Sequence, residues 1–129
     1  MKDNITLSSF FPSDREWLSV LLFDKDVRKY LSHLTSDVDK FVRDMEIAKC
    51  RGLGALWIVR LEETGVGFIS IYDLPENPFV FYAMLPDYRN KGYMKSALMM
   101  LEKEIKVPLY TYIDETNVAS LNVFLNINV

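Results

Sequence analysis

The sequence predicts a single mixed α/β domain, an α+β sheet layered with helices in the order β-α-α-β-β-β-α-β-α. Three observations predict it. Apolar residues recur at helical spacing as far as Gly52 and then run as strands. Two β-rich runs, "ALWIVRLEE" and "VGFISIYDL", flank the hairpin signal Thr64–Gly65. Finally, Pro86 opens a charged turn that leads into an amphipathic run ended by Pro108. The chain has 129 residues, 50% of them apolar and 13% aromatic, so residues 1–129 can bury one core and do not read as disordered.

The elements follow in order. Asn4–Phe10 alternates Ile5, Leu7 and Ser9 with polar neighbours and predicts a strand. Pro12 and Ser13 open a helix, with Glu16 three residues after Ser13 as a capping box. Trp17, Leu18, Leu21 and Leu22 form its apolar face, continued after "DKD" by Val27, Tyr30, Leu31 and Leu34 in a second short piece. Thr35 or Ser36 caps the next helix, which turns Val38, Phe41, Val42, Met45 and Ile47 or Ala48 to the core and stops at Gly52. After the hairpin and the break at Pro75–Pro78, Phe79–Leu85 is apolar on both faces and predicts a central strand. A helix then runs to about Lys106, a strand covers Leu109–Asp114, and Thr116 or Asn117 caps a last helix.

Composition excludes several classes. A net charge of −3 with one short basic turn offers no general attraction to nucleic acid. One cysteine, Cys50, allows no internal disulfide and fits a reducing compartment. With His33 as the one histidine, a zinc site of nitrogen and sulfur ligands is not expected, nor is any other metal. The N-terminus lacks an apolar core of signal length, and no apolar run approaches the roughly 20 residues that span a bilayer. A cytoplasmic protein without membrane contact is the expectation.

The most informative stretch is "MLPDYRNKGYMKSALMML", Met84 to Leu101. A basic turn with one glycine at a helix start can be a plain solvated cap. It can also be an anion site, where free backbone N–H groups and the positive helix end face a phosphate. Its place between a strand and an amphipathic helix favours the second reading. Arg89, Asn90, Lys91, Gly92, Tyr93 and Met94 resemble the glycine-turn motif of the GNAT superfamily of N-acetyltransferases, which is Arg or Gln, two residues, Gly, one residue, then Gly or Ala. Only Met94 departs from it. The order of elements resembles the same family along nearly the whole chain. The N-terminal "D…L…L..D..V..YL" pattern resembles its RimJ/RimL-type branch, which acetylates protein N-termini, amino acids, polyamines or drugs.

The resemblance implies acetyl-coenzyme A as co-substrate and no metal. Backbone N–H groups from Asn90 to Met94 would wrap the pyrophosphate, Gly92 would allow close approach, and Arg89 would add charge-assisted hydrogen bonds. Met94 is bulkier than the family's residue and is expected to crowd the phosphates. The pantetheine arm would lie beside Phe79–Leu85 as an extra strand, bonded near Met84 and Leu85. Asn117, Ser120 and Phe124 fall at the offsets of a second family motif, and Asn117 would bond the pantetheine. Phe124 replaces the family's usual proton-donating Tyr, which leaves Tyr82 or Tyr112 as donors. Asp73, Glu76, Asp114 or Glu115, or else His33, could serve as base, with Asp73 and Glu76 ranked first among the carboxylates. Each of these has an ordinary reading too, as an aromatic in the core or a solvated turn residue.

The family usually adds two strands after the last helix, and none is present before Val129. A longer chain, a partner completing the sheet, or a minimal form all remain open, and the unprotected edge favours a homodimer. The expected activity is transfer of an acetyl group to a primary amine of a small molecule or protein, by direct attack in a ternary complex. The alternatives are a degenerate domain that binds acetyl-CoA as a sensor or interaction module, and a coenzyme-free scaffold. The acidic balance points to a basic acceptor such as a polyamine or an aminoglycoside.

Overall fold

The central strands are apolar on both sides because the sheet they form is covered on both faces. A computed structural model of the chain describes residues 4–74, 76 and 78–105. Strands β1 (Ile5–Ser8), β2 (Gly54–Leu61), β3 (Thr64–Tyr72) and β4 (Phe79–Met84) form an antiparallel sheet in that order. Helices α1 (Arg15–Leu22), α2 (Lys25–Tyr30) and α3 (Val38–Cys50) cover one face, and α4 (Tyr93–Ile105) covers the other.

Side-chain alternation divides the core in two. Ile58 and Phe68 pack with Leu18, Leu21, Leu22, Phe41 and Met45 under the first three helices. Val59, Ile69, Ile71, Val80 and Met84 pack with Met94, Ala97, Leu98 and Leu101 of α4. Each fully buried large side chain contributes about 1.5–3 kcal/mol. The last expected strand, Leu109–Asp114, and the last helix lie outside the described residues. Among the described residues, the strand that β4 pairs with is β3.

Carboxylates, not hydroxyls, cap α2 and α3. Instead of a Ser13–Glu16 box, the chain makes a 3₁₀ turn at Pro12–Asp14, and the Asp14 carboxylate accepts from Phe11 N–H at 2.8 Å. Asp24 caps α2 through Asp26 and Val27 N–H. Asp37, rather than Thr35 or Ser36, caps α3 through Asp39 and Lys40 N–H. Gly52 stops that helix at φ +72°, as expected, and of Ile47 and Ala48 it is Ala48 that turns towards the sheet, beside Gly54, while Ile47 faces solvent.

The hairpin turn falls two residues before Thr64–Gly65. Leu61 pairs with Thr64, so Glu62 and Glu63 turn the chain, with Glu62 at φ +56°. Gly65 is needed inside the strand instead. A bulge sets it opposite Arg60, and a Cβ there would lie 2.5 Å from the Trp17 ring.

That ring covers the buried ion pair of the fold. Asp14 and Arg60 are 2% and 8% exposed, and the guanidinium donates to both carboxylate oxygens at 2.9 and 2.7 Å. Trp17 Nε1–H donates to the same carboxylate at 3.0 Å, and Arg60 Nε–H donates to Ser8 Oγ at 2.6 Å. Burial pushes the Asp14 carboxyl up, but bonds from Arg60, Phe11 and Trp17 outweigh it and hold the pKa below 3.8. Asp14→Ala would strand the Arg60 charge, so urea denaturation should show a loss of about 3–5 kcal/mol at neutral pH. Because the folded pKa is depressed, the wild-type advantage is complete above pH 3.8 and fades as pH falls through the lowered value.

Candidate functional site

The glycine turn sits where β4 hands the chain to α4. Leu85 N–H donates to Val66 C=O at 2.8 Å, extending the β3–β4 ladder by one bond, and a 3₁₀ turn at Pro86–Tyr88 follows. Asn90 and Gly92 adopt φ +62° and +82°. Helix α4 then begins, with Ser96 N–H bonded to Gly92 C=O at 3.1 Å. As at any helix start, first-turn N–H groups such as those of Met94 and Lys95 have no carbonyl one turn ahead of them. A Cβ built on Gly92 meets nothing within 4 Å. The loop is therefore an open cradle of left-handed residues and helix-start N–H groups, with Lys91 exposed beside it.

Two residues of the motif behave differently from expectation. Met94 does not crowd the cradle: its side chain is 7% exposed and packs in the α4 core with Val59 and Met84. The motif's last position faces inward here, so a larger residue fills core and leaves the outer surface clear. Arg89 does not reach into the cradle. Its Nε–H donates to Met84 C=O at 2.8 Å, Nη1–H to Asp26 at 2.9 Å and Nη2–H to Asp24 at 2.9 Å. The side chain thus ties the loop to β4 and α2. Burial pushes the Asp24 carboxyl up, yet the bond and charge of Arg89 hold it below its ordinary value.

Met84 and Leu85 adjoin the cradle as expected. Because Leu85 N–H reaches β3, the alternate backbone groups of Val80, Tyr82 and Met84 face away from it. The Met84 C=O on that edge accepts from Arg89. The other candidates are scattered. Asp73, at φ +61°, and Glu76 are exposed at the β3–β4 turn, the far end of β4 from Gly92. Tyr82 packs on the α4 face of the sheet. Tyr112, Asp114, Glu115, Asn117, Ser120 and Phe124 lie outside the described residues.

On the opposite face of β4 is a cleft of about 540 Å³ between the α2–α3 connection, α3 and the ends of β3 and β4. His33, Lys40, Asp44, Tyr72 and Phe81 line it. Phe81 is its centre: the His33 ring meets it edge-on with centroids 4.4 Å apart, and the Tyr72 ring does so at 5.5 Å. Lys40 and Asp44 form an i,i+4 ion pair along one wall. Burial, helped by the Arg28 charge, lowers the His33 pKa below 6.5, so the ring is neutral at pH 7. Burial also raises the Tyr72 hydroxyl above 10.0; the Asp44 charge adds to this and a bond to Ser70 opposes it. Sequence reasoning reached His33 but missed Tyr72 and Asp44. One signal was available for Tyr72, an amphipathic side chain at the polar end of an otherwise apolar strand.

Residues 4–128 match the family model of the acetyltransferase (GNAT) domain. The chain belongs to the GNAT family, whose chemistry is acetyl transfer from acetyl-CoA. A search of curated proteins finds no match. Among solved structures, a GNAT-family acetyltransferase from Bacillus anthracis is similar at 26% identity and TM-score 0.78, with 98% of this chain and 80% of that one covered. RimL, a ribosomal L7/L12 α-N-protein acetyltransferase solved with coenzyme A, shares 13% identity at TM-score 0.82, with 98% and 80% covered. Spermidine N-acetyltransferase from Vibrio cholerae, solved with CoA and spermine, shares 10% at TM-score 0.78, with 95% and 79% covered. Among the described residues no group of His, Cys, Asp or Glu could hold a metal, and no helix is long and apolar enough to cross a membrane.

If Arg89 anchors the loop, its loss should loosen the cradle more than the fold. Arg89→Gln is expected to lower stability by about 1–2 kcal/mol, since the pair is partly exposed. Hydrogen exchange of the amides at residues 90–94 should accelerate well beyond that of β3.

Proposed function

We propose that this protein transfers the acetyl group of acetyl-CoA to a primary amine, in a single domain acting in the cytoplasm. The observation that carries the reading is the open turn at Gly92, which follows β4 and opens α4. Backbone N–H groups from Asn90 to Met94 hold the pyrophosphate, with Lys91 as a nearby cation. The pantetheine lies beside the end of β4, near Met84 and Leu85. Bound acetyl-CoA supplies an acyl thioester: the amine nitrogen forms the new C–N bond, the C–S bond breaks with its electron pair on sulfur, and nitrogen's proton must finally reach that sulfur.

The chain's part is to orient the amine and carry the proton. His33 is the preferred base, ahead of Asp73 and Glu76, because it lies in a cleft against β4 and is already neutral. Tyr72 stays protonated through the neutral range and is the preferred donor among described residues, ahead of Tyr82. The alternative is a sensor that binds acetyl-CoA without turnover. It is favoured by the scatter of Asp73, Glu76 and Tyr82 away from the cleft.

Calorimetry with acetyl-CoA tests the first step. Gly92→Val should abolish binding, because its side chain would fill the cradle, while lowering stability by about 1–2 kcal/mol for the left-handed backbone. Unchanged binding would refute the cradle. Release of free thiol with an amine panel separates enzyme from sensor. For the enzyme, kcat/KM should rise from acid pH with a limb below 6.5, the ordinary value from which His33 is lowered, and His33→Ala should remove that limb.

A further inference from the structure

Three aromatic rings meet in the cleft against β4. The Phe81 ring takes the His33 ring at 4.4 Å and the Tyr72 ring at 5.5 Å, with interplanar angles of 60° and 61°. The buried side chains Leu34, Phe41 and Met45 close the inner end of the cleft. Phe81 and Tyr72 are only partly buried, so the core does not seal the ring cluster. The volume of about 540 Å³ falls within the roughly 300–1,000 Å³ of small-molecule sites, which are lined mainly by apolar and aromatic side chains. Charge is the second observation. Among the described residues of the lining, the charged side chains are Lys40 and Asp44, and they neutralise each other as an i,i+4 pair. His33 is uncharged at pH 7. Among these residues, therefore, no carboxylate is left over to meet a second ammonium group.

We infer that the acceptor is a monoamine whose nitrogen is joined by a short alkyl linker to an aromatic ring, and that this ring seats against Phe81. Aromatic rings prefer edge-to-face or offset contacts with centroids about 4.5–7 Å apart. A cluster that already holds two edge-on contacts offers the same kind of contact to a third ring. A ring seated there touches the side chain that touches His33, so a short linker brings the nitrogen towards the proposed base. The inference rests on the acetyl-transfer reading and narrows it. It also reverses the expectation from net charge: each further ammonium of a polyamine would lose water in an apolar cleft without a counter-ion, which disfavours it.

The test compares phenethylamine with ethylamine, 2-cyclohexylethylamine and spermidine on the whole protein. Thiol release should give phenethylamine a kcat/KM about ten- to hundredfold above ethylamine, carried by KM, because a ring is buried. Phenethylamine should also exceed the equally bulky 2-cyclohexylethylamine by about two- to tenfold, the worth of aromatic geometry beyond area. Phe81→Leu should collapse that second ratio. One measurement needs neither turnover nor a variant. The chain has one histidine, so its imidazole proton signals in NMR belong to His33. Phenethylamine should shift them to saturation, and spermidine should not. Equal rates for phenethylamine and 2-cyclohexylethylamine, a preference for spermidine, an aromatic ratio that survives Phe81→Leu, or His33 signals unmoved by phenethylamine would each overturn the inference. If calorimetry shows no acetyl-CoA binding, the acetyl-transfer reading fails by itself, and the NMR titration still decides the aromatic site.

Discussion

The three contacts of one guanidinium hold the two sides of the site in register. Arg89 bonds to Met84 C=O at the end of β4 and to Asp24 and Asp26 of α2. The cradle lies on the α4 side of the sheet, and the cleft lies on the side of α1 to α3. Without Arg89 the loop after β4 would touch the second layer only through general packing. With it, α2 is pinned to the turn that opens α4. The motif position read as a phosphate ligand thus ties the loop to β4 and α2 in this fold.

The frame beneath depends on a similar device. Arg60 lies on β2 within an otherwise apolar face, where an unpaired charge would be severely destabilising. Asp14 answers it, and its remaining lone pairs are met by Phe11 N–H and Trp17 Nε1–H. This one carboxylate therefore orders the end of β1, the 3₁₀ turn and the start of α1. It also fixes Trp17, whose ring leaves room for no side chain at Gly65 and so shapes the bulge in the hairpin. Packing and polar satisfaction act together here: the ring excludes water from the pair, and the pair holds the ring.

The parts of the fold legible in the sequence are those set by neighbours along the chain. Helical and strand periods located all eight regular elements from Ile5 to Ile105. Gly52 and Gly92 were legible because positive φ favours glycine. What failed was decided across space. Thr64–Gly65 has the composition of a turn, but Trp17, 48 residues away, requires Gly65 within the strand. Met94 reads as an obstruction until α4 is seen to turn that position into the core. The cleft brings together the α2–α3 connection and two strand ends, and no local pattern announces it. Arg28 is the extreme case: on a helix surface it looks like an ordinary solvated arginine, and only the packed fold shows two of its nitrogens cut off from water.

The same desolvation gives the cleft its character. Removing water disfavours whichever form is charged, so it drives an imidazole down and a phenol up. His33 and Tyr72 flank Phe81 and are shifted in these opposite directions. Both are therefore neutral at pH 7, one able to take a proton and the other able to give one. The proposed transfer needs that pairing, since nitrogen loses a proton and sulfur gains one with no net change. Asp73 and Glu76 are exposed at the β3–β4 turn and do not line the cleft. The case for His33 over the carboxylates thus rests on burial against β4 rather than on residue type. The Arg28 charge that strengthens the His33 shift is supplied by the same helix that Arg89 pins to the cradle.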